Sequence, residues 1–379
     1  MRKSVLQSRL PPLPSQFSSQ ALHNRPSGST EGKRRRRDYT PSSWDAYFET
    51  KRLVEINGGD KFCVYSSGND GPVVLLLHGG GYSALSWAVM TKVLTVQCQC
   101  QVVAFDSRGH GSTVTSNTDD LSIDSQSRDV SSIMKSLYKE SSPPPPVVVV
   151  GHSMGGAVAA HTVFLNRIPS VVGLVLIDVV EGSAMNALSS MQSFLRSRPQ
   201  SFESIENAIE WSVRSGQTKN RDSARVSMPG QIRKVPTNNR VIEGNQEMGS
   251  ANERIDEEDA AASQMTVADV RENSQYKYEW RIDLSKTEQH WKGWFEGLSQ
   301  KFLGCTVAKL LLLAGVDRLD KDLTVGQMQG KFEMHVLPQV GHVVHEDSPG
   351  KVADVLTRFL VRNKFSQAKE DYAHSLPAC

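Results

Sequence analysis

The stretch Val147-Val148-Val149-Val150-Gly151-His152-Ser153-Met154-Gly155-Gly156-Ala157-Val158-Ala159-Ala160-His161-Thr162-Val163 decides the fold. Four consecutive β-branched residues predict a buried strand, and the small-residue run from Gly155 onward predicts a helix packed close against it. Between them stands Ser153. The spacing Gly151, Ser153, Gly155 fits GxSxG, the sharp strand-to-helix turn that lifts a serine hydroxyl above a sheet. Glycines flank the serine because a Cβ there would collide with the neighbouring strand and helix. Helix amides directed at the reacting atom favour an oxyanion. An ordinary glycine-rich βα turn is the plainer reading, and the required strand-turn-helix context argues against it.

Upstream, Pro72 to Leu77 reads as a second buried strand, ending in His78-Gly79-Gly80-Gly81. An HGGG loop after an inner strand supplies half of an oxyanion hole, and the amide after the nucleophile supplies the other half. Gly80, Gly81 and Met154 are therefore the candidate donors. Phosphate cradling is the rival use, but no lysine follows at P-loop spacing. Before this strand, Trp44 to Tyr65 alternates like opening antiparallel strands around the turn Gly58-Gly59-Asp60. A third inner strand, Gln101 to Phe105, leads into Asp106-Ser107-Arg108-Gly109-His110-Gly111-Ser112. Arg108 and His110 lie where a substrate could be touched, with hydrogen bonding inside the loop as their expected role. Leu121 to Tyr138 has helical spacing, and the prolines before Val147 stop it.

Downstream, Val171 to Ile177 is a buried strand ending on Asp178, and Lys309 to Ala314 ends in Gly315-Val316-Asp317. Phe332 to Leu337 leads to Gly341-His342, and a helix over residues 350–365 follows. Strands alternating with helices predict a mostly parallel sheet, with function beyond the carboxyl ends of its strands. Ser153, Asp178, Asp317 and His342 all fall there. Between Glu181 and Thr306 the pattern turns helical, as in Ser204 to Val213 and Lys286 to Phe302, without a strong buried strand. This predicts a helical cap over the site, in which Trp211, Trp280, Trp291 and Trp294 either wall a groove or pack the cap onto the body.

A serine hydroxyl needs a histidine to take its proton and an acid to orient that histidine. The order serine, acid, histidine is that of an α/β-hydrolase, a mostly parallel sheet flanked by helices with the cap inserted. His342, directly behind a glycine at a strand end, is the candidate base; His345, three positions on, is the competitor and is expected to support the loop or the groove instead. Asp178 and Asp317 both follow inner strands, and spacing does not choose between them.

The expected organisation is a basic, Pro/Ser-rich disordered tail over residues 1–40 and a hydrolase core over 41–180 and 306–365. The cap spans 181–305, with a disordered acidic insertion at about 235–275, and a tail spans 366–379. Net charge is +2, from 43 basic and 41 acidic residues, so no global field argues for nucleic acid or membrane. No apolar run reaches bilayer length, and the N-terminus lacks a secretory pattern. The five cysteines have no metal-ligand spacing and suit a reducing compartment. The acidic run at residues 255–259 reads as solvated, and no metal or cofactor is expected. Lys33 to Arg37 reads equally as a nuclear import signal or as a solvated cluster, so the expected location is cytoplasmic and nuclear.

The chain resembles the protein phosphatase methylesterases. The resemblance rests on LLLHGGGYSALSWAV from Leu75, GHSMGGA from Gly151, IDVVEGSAM from Ile177, RPQSFESIENAIEWSVRSGQ from Arg198, ARVSMPGQ from Ala224 and LLLLAGVDRLDKDLTVGQMQGKF from Leu310. It spans about Asp38 to Phe365. The hydrolase motifs are shared by many esterases, whereas the cap stretches and GQMQGKF are particular to this family. The resemblance implies a serine esterase that removes the methyl ester from the C-terminal leucine of the protein phosphatase 2A catalytic subunit and binds that phosphatase. It implies Ser153 as nucleophile, His342 as base and Asp178 as acid, with Asp317 structural or partner-contacting. The residues by themselves also fit a general small-ester hydrolase, or a phosphatase-binding inhibitor in which catalysis is secondary.

Overall fold

A computed structural model of the chain describes residues 38–56, 58–237, 276–315 and 319–369. Most of the tail before Asp38, the core of the insertion, Asp317 and the last ten residues lie outside these, and with them Lys33 to Arg37 and the acidic run at 255–259.

Strands β1 (Thr50–Ile56) and β2 (Asp60–Ser67) form the antiparallel opening, paired from Thr50↔Ser66 to Ile56↔Asp60. They join β3 (Val73–Leu77), β4 (Gln101–Phe105), β5 (Val147–His152), β6 (Val171–Ile177), β10 (Ala308–Leu313) and β11 (Glu333–Val336) in the order β1-β2-β4-β3-β5-β6-β10-β11. From β4 to β11 every pairing is parallel. Both faces of this sheet are covered, as the aliphatic runs demand. Val73, Leu75, Leu77, Val147 and Val149 enter one apolar cluster, while Val74, Leu76, Val148 and Val150 enter another on the opposite face. A two-residue period with both phases buried is what turns an uninterrupted apolar run into an inner parallel strand.

Helices α1 (Ala88–Gln97), α2 (Ile123–Leu137) and α3 (Met154–Phe164) supply the crossovers, and the helix Pro349–Arg362 packs against α1. The α2 boundary follows from chemistry, since the Ser122 hydroxyl accepts the amide of Ser125 as an N-cap. After this last helix the chain turns back on α1: Lys369 N donates to Gln97 O at 2.9 Å and Cys98 bridges Ala368. The start of the expected tail is thus part of the body.

The region between β6 and β10 is helical, but not wholly so. Helices α4 (Glu181–Arg196), α5 (Ile205–Arg214) and α6 (Arg221–Ser227) come first, then α7 (Glu288–Phe295) and α8 (Leu298–Gly304), with a break at Gly297. A small antiparallel sheet accompanies them, in the order β7 (Ser201–Phe202), β9 (Tyr276–Trp280), β8 (Ile232–Pro236). The sequence reading missed this sheet because its strands are short and half exposed, with Arg233, Lys234 and Lys277 among them, and present no buried apolar run. Pro236 pairs with Tyr276, so the insertion leaves and re-enters at the open end of this ladder.

Trp291 and Trp294 pack into the body, their indole N–H groups donating to Thr287 Oγ1 at 2.7 Å and Leu121 O at 2.6 Å. Trp211 and Trp280 instead pack with Phe202 in a separate cap cluster. Among the described residues no helix is long and apolar enough to cross a membrane, and no group of His, Cys, Asp or Glu could hold a metal ion.

Candidate active site

Ser153 sits between β5 and α3 with φ 53° and ψ −121°. Side chains rarely adopt this conformation, which costs on the order of 1–3 kcal/mol and persists only where surrounding packing enforces it. The packing is visible at Gly155, where a Cβ would stand 2.3 Å from Leu77 O and 2.5 Å from His78 O. Glycine there lets α3 press onto the end of β3, and that contact holds the serine in place. Asp178, directly after β6, also has a positive φ, 49°. Its amide donates to Leu312 O at 2.8 Å, which ties its backbone to β10.

The loops bring Asp178 and His342 together. Asp178 Oδ2 accepts from His342 Nδ1 at 2.8 Å, and Asp178 Oδ1 accepts from Ala314 N at 3.0 Å. A carboxylate accepts only, so Nδ1 carries the imidazole proton and Nε2 keeps its lone pair, the tautomer a general base requires. The Asp178 side chain is 0% exposed and that of His342 49%, so the acid is sealed beneath an accessible base. No hydrogen bond joins the Ser153 hydroxyl to His342, a link that often tightens only in a substrate complex. Asp317, the other candidate acid, lies outside the described residues, and Asp178 occupies the position beside His342 Nδ1.

The HGGG loop lies against the elbow. A Cβ on Gly79 would stand 3.3 Å from Ser153 Cβ, and one on Gly80 would stand 3.7 Å from Met154 Sδ. The amides of Gly80 and Met154 have no hydrogen-bond partner among the described residues. The Gly81 amide is engaged: it donates to His110 Nε2 at 2.9 Å. This corrects the sequence reading, leaving Gly80 and Met154 as the available donors and making Gly81 an anchor of the loop.

Other histidines hold this arrangement. His78 donates from Nδ1 to Gly79 O at 2.8 Å and accepts Ser107 N at Nε2, 2.9 Å away. His110 donates from Nδ1 to Arg108 O at 2.9 Å. Burial pushes His78 down to about 3 and His110 down to about 4, so both are neutral struts. Arg108 makes a bidentate pair with Asp129 of α2, at 2.6 and 2.7 Å, so its hydrogen bonds reach outside the loop. His345 is buried, stacked on Trp87 with ring centroids 3.8 Å apart, and its Nε2 lies 3.3 Å from Ser86 Oγ. It supports the loop.

Two contributors escaped the sequence reading. His152, the variable residue of the GxSxG motif, is buried and donates from Nε2 to the backbone carbonyl of His342 at 2.9 Å. The residue before the serine thereby holds the backbone of the candidate base. Glu346 is buried on the same loop, where Thr218 Oγ1 donates to its Oε2 at 2.7 Å and Ser223 Oγ to its carbonyl at 2.8 Å. Lys219 N donates to Asp347 Oδ1 at 2.7 Å, so a short cap segment clamps the loop that carries His342. The acidic pair in GHVVHED was the one signal in the sequence, but burial at Glu346 depends on the cap packing over it.

Sheet order, elbow, closed acid–base pair and glycine loop define an α/β-hydrolase, and the model of the alpha/beta hydrolase family matches residues 74–355. Among solved structures, an E-2-(acetamidomethylene)succinate hydrolase shares the fold with a TM-score of 0.59 and 18% identity, covering 82% of this chain and 99% of its own. Sequence relatives are far nearer. Protein phosphatase methylesterase 1 of Mus musculus is 49% identical over 395 residues, covering 100% of this chain and 99% of its own length. That of Bos taurus is 50% identical over 383 residues, covering 97% and 98%. The chain belongs to the protein phosphatase methylesterase family, whose members are carboxylic ester hydrolases.

Proposed function

We propose that the chain is a serine carboxylesterase that removes the methyl ester from the C-terminal leucine of the protein phosphatase 2A catalytic subunit and binds that phosphatase. The observation that carries the chemistry is the 2.8 Å contact between Asp178 Oδ2 and His342 Nδ1, next to a serine held at a strained elbow. Family membership over the full chain carries the substrate.

In this reading Ser153 Oγ attacks the ester carbonyl while His342 Nε2 takes its proton. Asp178 stabilises the imidazolium, and the amides of Gly80 and Met154 hold the negative oxygen of the tetrahedral intermediate. Collapse expels the methoxy group, which leaves as methanol with the proton from His342. Water then attacks the acyl-enzyme by the same route, releasing the leucine carboxylate and restoring Ser153. Leu284, whose side chain lies 3.7 Å from the Cβ position of Gly80, suits an apolar residue at the scissile ester.

The test compares methanol release from methylated phosphatase with turnover of a generic small ester. Higher kcat/KM on the phosphatase is expected, and equal or lower kcat/KM would refute the substrate assignment. Ser153→Ala should abolish demethylation and retain phosphatase binding, which separates an esterase from an inhibitor that needs no catalysis.

A further inference from the structure

The cap presents a half-buried cation without a counter-anion among the described residues. Arg198, two residues after α4, stacks its guanidinium 3.5 Å from the centroid of the Trp280 ring. That indole is fixed in turn, donating to Pro199 O at 2.7 Å and packing against Phe202 and Trp211 at 5.4 and 5.6 Å. Arg198 Nε is buried with no hydrogen-bond partner, and no carboxylate among the described residues lies within ion-pair distance. Arg108, by contrast, is fully matched by Asp129. Burial lowers the Arg198 guanidinium to about 10, with Tyr82 as its one opposing influence, so it stays charged at neutral pH.

Its position relates it to the chemistry. The strand that ends at Trp280 leads on to Leu284, whose side chain lies 3.7 Å from the Cβ position of Gly80 in the HGGG loop. A half-buried cation whose Nε is left without a partner is stabilised by an anion, and an arginine fork matches the two oxygens of a carboxylate. We propose that Arg198, held on Trp280, is the subsite that receives a carboxylate of the peptide substrate. That carboxylate is either an acidic side chain near the C-terminus or the terminal group released by hydrolysis. The proposal rests on the methylesterase reading and adds to it a determinant of peptide selection.

The test uses synthetic peptides ending in leucine methyl ester, each carrying Asp or Asn at one upstream position, together with the matching free acids as inhibitors. If a side chain is the ligand, the wild-type KM for one Asn peptide exceeds that of its Asp counterpart by about 10- to 100-fold, the range of a charge-assisted hydrogen bond, and Arg198→Gln brings that ratio near one. If the released group is the ligand, Arg198→Gln weakens inhibition by the free acids by a similar factor, whatever the upstream residue. Arg198→Lys, which keeps the charge without the fork, should fall between in either arm and guards against a misfolded glutamine variant. Asn/Asp ratios and inhibition constants unchanged in both variants would overturn the proposal. Failure of the wild type to cleave any leucine methyl ester peptide would instead overturn the methylesterase reading.

Discussion

Asp178→Asn is the substitution that tests the candidate triad most sharply, because its effect follows from two hydrogen bonds. Asp178 Oδ1 accepts the amide of Ala314 at 3.0 Å and Oδ2 accepts His342 Nδ1–H at 2.8 Å. An asparagine that keeps the first bond must turn its NH2 group toward Nδ1. A donor there forces Nδ1 to accept, so the proton moves to Nε2, where it faces Ser153 and leaves no base. The imidazolium also loses the charge that stabilises it. Where a triad aspartate holds the histidine in this way, the isosteric amide lowers kcat by about 10⁴-fold, which is about 5 kcal/mol of barrier. The measurement is kcat and KM for methanol release from a leucine methyl ester peptide, alongside Asp317→Asn. Loss is expected in kcat at Asp178, with KM within a few-fold and Tm nearly unchanged, and little effect is expected at Asp317. An Asp178→Asn enzyme that keeps more than a tenth of wild-type kcat, with collapse at Asp317→Asn, would refute the assignment.

Three further outcomes are expected. Gly155→Ala places a methyl group 2.3 Å from Leu77 O, and should destabilise the fold by about 3 kcal/mol or more and deplete soluble, active enzyme; wild-type stability in denaturant titration would contradict the packing argument. Asp129→Asn leaves the buried Arg108 without its counter-charge and should cost about 3–5 kcal/mol of unfolding free energy, read from the same titration. Glu346 is pushed up to about 8, first by burial, so its native pKa lies above the unfolded value and the native state holds the extra proton. Its contribution is therefore fully present below about 4.5 and is lost as pH rises toward 8, at about 1.4 kcal/mol per pH unit inside that window. Glu346→Gln should flatten the fall in Tm between pH 6 and pH 8, and an unchanged slope would remove Glu346 from the account.

The sheet was legible because its inner strands are apolar at every position: VVLLL and VVVV can be buried on both faces only in a parallel array. The serine was legible for a related reason, since Gly151 and Gly155 record steric demands that the structure locates at the first turn of α3 and at the end of β3 respectively. Local patterns could not choose between Asp178 and Asp317, because that choice rests on the distance between two loops far apart in sequence. The donor role given to Gly81 failed on a similar contact, from His110, twenty-nine residues away. The cap sheet β7-β9-β8 was hidden by its polarity, and His152 by its place as the variable residue of the motif.

The charge distribution explains why one histidine, of the several near the serine, is suited to carry a proton. His78, His110, His152 and His345 are all buried, and burial holds each below the ordinary imidazole value. Three of them have a fixed role as neutral hydrogen-bond struts: His78 and His110 on the glycine loop, and His152 on the carbonyl of His342. The fourth, His345, stacks on Trp87. A cation at any of these positions would have to form without a carboxylate in contact. His342 differs on both counts, with a half-exposed ring and a sealed carboxylate on Nδ1. The surrounding imidazoles thus fix the loops without competing for the proton, and the arrangement reserves positive charge for the one ring that an aspartate can stabilise.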